Sequence, residues 1–191
     1  MKPQGSGLFF VVHKHKATSL HFDFRLEIGG TMPSWSIPKG PSLDNHVKRL
    51  AMPTGDHDLD YRTFEGVIPF GSYGAGPVMI WDQGTYDPEE EVSKGVRRQV
   101  KVRAKAERVA AEGLSAGNLK FFLHGEKLKG SFALVRTSGF GPKDAWLLIK
   151  HNDQYCQSGY DAKNYDVSAA TGRSLAQIGQ APLEGPAGLS T

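Results

Sequence analysis

Apolar and polar residues alternate most cleanly over residues 20–27, "LHFDFRLE". In an extended chain, Leu20, Phe22, Phe24 and Leu26 share one side, while His21, Asp23, Arg25 and Glu27 share the other. The spacing predicts a strand with one face in a core. A short apolar run at 9–12 predicts a strand before it. Gly29 and Gly30 predict a hairpin turn after it, and "TMPSWSIP" then returns as a partner. Pro33 places that partner near an edge or a bulge. "KGPSLDN" reads as a loop, and "KRLAMPT" as a short strand leading into "GDHDLDY". Further strands are predicted at 65–68 and 77–81. The stretch between them, "FGSYGAG", lacks the Lys-Ser/Thr ending and strand–helix context of a phosphate-cradling loop, so it reads as a tight glycine turn. "DQGTY" at 82–86 predicts another turn.

From 88 to 113 the pattern changes. Helix formers accumulate and the run ends at Gly113, which predicts a helix over about 103–112, although "VKVR" also alternates at period two. "LKFFLHGEKLKGSFALVRT" reads as a hairpin and "AWLLIK" as a last strand. Periodicity fades after Asp153, and 160–191 reads as a tail or linker. The expected fold is mainly β: a compact antiparallel β barrel with one or two flanking α-helices, over residues 1–155, followed by a tail at 156–191.

Composition narrows the class. Among 191 residues, 23 glycines and 11 prolines favour short strands and turns over long helices. The net charge of +3 is compatible with nucleic acid without demonstrating it. One cysteine, Cys156, excludes an internal disulfide framework and points to a reducing compartment. No apolar run approaches the roughly 20 residues of a membrane helix. The N-terminal "MKPQGSGLFFVV" reads as a first strand rather than a signal peptide. A cytoplasmic monomer without membrane contact is the resulting expectation.

The ionisable chemistry gathers in "HKHKATSLHFDFRLE", residues 13–27. A row of imidazole, carboxylate and guanidinium at about 7 Å per step suits an active-site floor. His15, on a loop just before the strand, can fold over His21 and Asp23. Two imidazoles and a carboxylate make a three-ligand site for Zn, Fe(II) or Mn(II) with positions left open. The same spacing equally fits a strand face turned to water. Arg25 tips the balance, because a cation beside metal ligands suits a phosphate. Lys39, Arg49, His57 and Tyr61 are candidates to join it, each with a plainer alternative as a solvated cation, turn cap or core edge. The basic run from Lys94 to Arg108 fits a duplex backbone or a solvated helix face equally well. Trp35, Trp81 and Trp146 sit in strand patterns and are expected in the core.

Several long motifs in order resemble a known family. "HKHKATSLHFDFRLE", "SWSIPKGPS", "KRLAMPTGDHDLDY", "FEGVIPFGSYGAGPVMIWDQGTY" and "LKFFLHGEKLKGSFALVR" are similar to the 3′-phosphoesterase module of bacterial DNA ligase D and its stand-alone relatives. "TGRSLAQI" resembles the segment that follows the module before the ligase domain. The resemblance implies a compact β barrel and a manganese-dependent hydrolase. Its members remove a 3′-terminal ribonucleoside, then the remaining 3′-phosphate, for non-homologous end joining. It implies His15, His21 and Asp23 as metal ligands, for Mn²⁺ first and Zn²⁺ or Co²⁺ as alternatives. It also implies Arg25, Lys39, Arg49, His57 and Tyr61 around the phosphate, with Arg25, His57 and Tyr61 catalytic. The implied partners are DNA or RNA–DNA 3′ ends on a primer-template, with separate ligase, polymerase and Ku proteins. Members usually carry Gln at the place of His13 and Glu at that of Gly55, and many have an upstream segment that completes the site. His13 is therefore a candidate further ligand. A DNA-end-binding module with weakened catalysis, or a metal site serving only protein partners, are the rival expectations.

Overall fold

The computed structural model describes residues 5–139 and 141–180. In chain order its strands are β1 (Leu8–Lys16), β2 (Leu20–Leu26), β3 (Ser34–Ile37), β4 (Lys48–Pro53), β5 (Gly66–Ile68), β6 (Gly76–Ser93), β7 (Val96–Gln99), β8 (Asn118–Gly125), β9 (Lys129–Arg136) and β10 (Trp146–Lys150). Helix α1 (Arg103–Ala116) precedes β8, and the short α2 (Leu175–Gln180) follows β10. All pairings are antiparallel, in the order β1-β2-β3-β4-β10-β9-β8-β6. The β1–β6 pairing closes these strands into an eight-stranded barrel. β5 and β7 pair with opposite ends of β6.

The alternation in β2 translates directly into packing. Phe22, Phe24 and Leu26 are fully buried in the core, with Phe10, Trp35, Trp81, Phe121, Phe132 and Trp146. Burying each such side chain contributes about 1.5–3 kcal/mol. α1 adds Ala106 and Ala110 to this core. It ends at Gly117, in the left-handed region at φ 72°, whose N–H caps the Gly113 and Leu114 carbonyls. Residues 160–180, where the sequence reads as tail or linker, place Tyr160, Ala162, Leu175 and Ile178 in the same cluster. The Glu65 carboxylate holds this segment by accepting from Ser168, Thr171 and Arg173.

Two local expectations need correction. "DQGTY" is not a turn but the middle of the 18-residue β6. There Gly84 faces both Phe10 of β1 and Gly125 of β8, and a Cβ on it would collide with the His124 carbonyl oxygen. The glycine allows close strand approach rather than a reversal. His15, in turn, lies inside β1 rather than on a loop, because β1 continues to Lys16. Among the described residues, no helix is long and apolar enough to cross a membrane.

Candidate functional site

The site is built on the outer face of β1, β2 and β3. Antiparallel register sets His15 directly opposite His21, and His13 opposite Asp23. Cross-strand neighbours on one face lie within side-chain reach. One ligand atom from each of His15, His21 and Asp23 falls within 4.8 Å of the others. Asp23 Oδ2 lies 3.4 Å from His21 Nε2 and 3.9 Å from His15 Nδ1.

Backbone carbonyls orient both imidazoles. His15 Nε2–H donates to the Gly74 carbonyl at 2.7 Å, and His21 Nδ1–H to that of Ser19 at 3.2 Å. The remaining nitrogens, Nδ1 of His15 and Nε2 of His21, point toward Asp23. A ring N–H anchored to a carbonyl with the other nitrogen free is the outer-shell arrangement of metal-ligating histidines. Burial alone would raise the Asp23 pKa, but the His15 and His21 imidazoles beside it and the charge of Arg25 hold it below the usual carboxylate range. The donor set therefore fits a divalent cation.

Arg25, buried beside this cluster, is tied at each nitrogen. Its Nε donates to His13 Nδ1 at 3.0 Å, one terminal nitrogen to His57 Nδ1 at 3.1 Å, and the other to Asp23 at 3.2 Å. Its guanidinium stands 5.0 Å from the centre of the Tyr61 ring. These three bonds leave two of its five N–H donors for an anion. His57 accepts from Arg25 at Nδ1 and so carries its proton on Nε2. Burial and then Arg25 lower its pKa, keeping the ring neutral. Tyr61 lies on a 3₁₀ turn at Leu59–Thr63, its ring near those of His57 and His13 and stacked on Phe64. His15, His21, Asp23, Arg25, His57 and Tyr61 all line one cleft of about 540 Å³.

The model of the family described as DNA Ligase D 3′-phosphoesterase domain matches residues 13–136. The chain belongs to this family. It is 45% identical over 151 residues to the multifunctional non-homologous end joining protein LigD of Pseudomonas aeruginosa, covering 79% of the chain and 16% of that protein. It is 37% identical over 174 residues to the multifunctional non-homologous end joining DNA repair protein LigD of Mycobacterium tuberculosis, covering 91% and 20%. With the LigD of Mycolicibacterium smegmatis it shares 38% over 145 residues, 76% and 17%. The chain thus spans a fifth or less of these relatives.

In this phosphoesterase-family chain, three of the candidates lie outside the cleft. His13 is fully buried with both nitrogens engaged, Nε2–H donating to the Phe64 carbonyl at 3.0 Å and Nδ1 accepting from Arg25. Burial and then Arg25 lower its pKa to about 3. Lys39 is exposed on the turn after β3. Arg49 sits on β4 opposite Leu148, with its Nε buried and without a hydrogen-bond partner among the described residues. At Gly55, φ is 93° and a Cβ would meet nothing within 4 Å.

Sequence reasoning missed Ser36 and Tyr73, which also line the cleft. Ser36 faces Asp23 across β2 and β3, a register that the β3 alternation alone does not fix. Tyr73 was hidden in a stretch legible only as a turn.

Proposed function

We propose that this domain is a metal-dependent 3′-end-processing phosphoesterase. It removes 3′-terminal ribonucleosides and 3′-phosphates from DNA ends, leaving 3′-OH termini for non-homologous end joining. The observation that carries this reading is the convergence of His15, His21 and Asp23 with Arg25 in one cleft. His15 Nδ1, His21 Nε2 and Asp23 would hold the cation, Mn²⁺ first, with Zn²⁺ or Co²⁺ accepted by the same donors. When bound, it would supply Lewis-acid charge at a phosphate oxygen.

The remaining roles belong to the chain's own residues. Arg25, braced on three sides, directs its two spare N–H groups at the phosphate and neutralises charge developing there. His57 presents Nε2–H as a hydrogen-bond donor to the phosphate oxygens, stabilising the charge that develops there. Tyr61 packs against His57 and Arg25 and holds both in place. His13 acts through Arg25 rather than on the cation, since no ring nitrogen is left to it. Lys39 and Arg49 are assigned to the nucleic-acid strand beyond the scissile phosphate, where Lys39 offers a point charge. Ligase, polymerase and Ku proteins would act on the same ends. Gly55, with open space where the family pattern has Glu, supports a second reading: an end-binding module with weakened turnover.

A primer-template with a labelled 3′ ribonucleotide or 3′-phosphate tests this, incubated with Mn²⁺ or chelator. Wild type is expected to convert both ends with Mn²⁺ alone, and Asp23→Ala to lose at least about 10²-fold. Tight binding without product would select the second reading. Unchanged substrate without binding would remove both.

A further inference from the structure

The loop between β5 and β6 presents two aromatic rings to solvent, Phe70 and Tyr73, and Tyr73 lines the cleft. It consists of two successive turns: Ser72 N–H donates to the Pro69 carbonyl at 3.1 Å, and Ala75 N–H to that of Ser72 at 3.2 Å. The third position of each is a glycine with positive φ, Gly71 at 88° and Gly74 at 72°, as type II turns require. The second positions are Phe70 and Tyr73. Both are fully exposed, at 102% and 104% of the reference side-chain accessibility. Among the described residues, the other exposed large hydrophobics are four valines and Phe9, whose ring lies 4.2 Å from the Arg62 guanidinium. Among the described residues, no ring or cation packs on Phe70 or Tyr73.

This loop is fixed to the candidate site. Its Gly74 carbonyl accepts from His15 Nε2, so the same peptide that carries Tyr73 orients a proposed metal ligand. A Cβ on Gly76 would collide with the Lys16 carbonyl oxygen, so the loop's exit is held tightly against β1. Pairing of Ile68 with Gly76 closes its base. Tyr73 lines the same cleft as His15 and His21. The occupant of such a surface needs a planar, weakly polar face joined to a phosphate that reaches the cleft. Nucleobases meet that description, and every base offers a face to an aromatic ring.

We propose that Phe70 and Tyr73 form a stacking platform for the bases at the end of the strand whose phosphate enters the cleft. The platform rests on the phosphoesterase reading and names the part of the substrate that reading leaves open. It makes the protein a sensor of bases next to the 3′ terminus, tolerant of their identity.

Two substrates test it: 3′-phosphate ends whose terminal nucleotide carries 2-aminopurine, and matched ends carrying an abasic tetrahydrofuran residue. Stacking on wild type is expected to change 2-aminopurine fluorescence. Phe70→Ala and Tyr73→Ala should each raise KM on the base-bearing end on the order of 10-fold, with kcat moving far less. The preference for base-bearing over abasic ends, as a ratio of kcat/KM, should fall by the same factor. Phe70→Trp and Tyr73→Phe should restore it. An unchanged ratio and fluorescence response in the double alanine variant would overturn the platform. So would a wild-type dimer that this variant converts to monomer, since the rings would then hold a second copy. If wild type hydrolyses neither end, the phosphoesterase reading fails, while fluorescence and affinity still decide the stacking.

Discussion

Imidazole, carboxylate and cation meet in two places on this barrel, with opposite outcomes. On the outer face of β1 and β2, His15, His21, Asp23 and Arg25 line a common cleft. At the other end of β6, Glu89, Ser131, His151, Lys150 and Asp153 are joined in one hydrogen-bonded network. The Ser131 hydroxyl donates to Glu89 and accepts from His151 and Arg97. Lys150 Nζ, with a fully buried side chain, donates to Asp153 at 2.6 Å and to the carbonyls of Ser131 and His151. Asp153 also accepts the Ser131 N–H at 2.8 Å. A cleft of about 630 Å³ lies over this second cluster, so open space does not separate the two. Convergence of ligating atoms does: among the described residues, only His15, His21 and Asp23 bring three of them within 4.8 Å of one another. The same residue types build a structural network when they bond to each other, and a candidate site when a strand face brings their ligating atoms together.

The largest effect expected from this difference is on activity. Arg25→Lys keeps the charge but loses the fork that joins His13, His57 and Asp23. End processing by Arg25→Lys should fall about 10²–10³-fold in kcat/KM. Glu89→Gln, in the closed network, should stay within about 2-fold of wild type in the same assay. Comparable losses from both would erase the distinction.

Stability should show the reverse bias. Lys150→Met strands the Asp153 carboxylate and two carbonyls, and should destabilise the fold by about 2–3 kcal/mol, read from the denaturation midpoint at constant m-value.

The effect confined to the narrowest range of conditions is on pH dependence. Burial, then Arg97 and Lys150, lower the His151 pKa from 6.5 to about 4. The unfolded chain therefore takes up this proton first as pH falls. The His151 contribution to stability is present above pH 6.5 and is lost progressively down to about 4. His151→Gln should flatten that part of the stability profile, and an unaltered slope would show that the imidazole is not held neutral.

Legibility in the sequence followed the same physics. The two faces of β2 were readable because period-two alternation survives wherever one face is buried. The barrel class was readable from the density of turns and short apolar runs. The continuation of β1 through His13 and His15 was not, because outward polar residues over a covered face mimic a charged loop. The length of β6 was hidden by Gly84, since glycine serves turns and close strand contacts alike. Hydrophobic pattern marks His15, His21, Asp23 and Arg25 as polar. Only the register between β1 and β2 shows that three of them share one point in space.

The insertion of β10 between β4 and β9 bears on when the molecule can assemble. Residues 48–53 and 129–136 meet only through Trp146–Lys150, which pairs with both. During synthesis β1, β2 and β3 are made early, but the barrel wall can close only once Trp146–Lys150 is available to bridge β4 and β9. Closure must then wait for contacts far apart in the chain, which slows folding. Closure of the barrel that carries the candidate cleft thus depends on a strand that contributes no side chain to it.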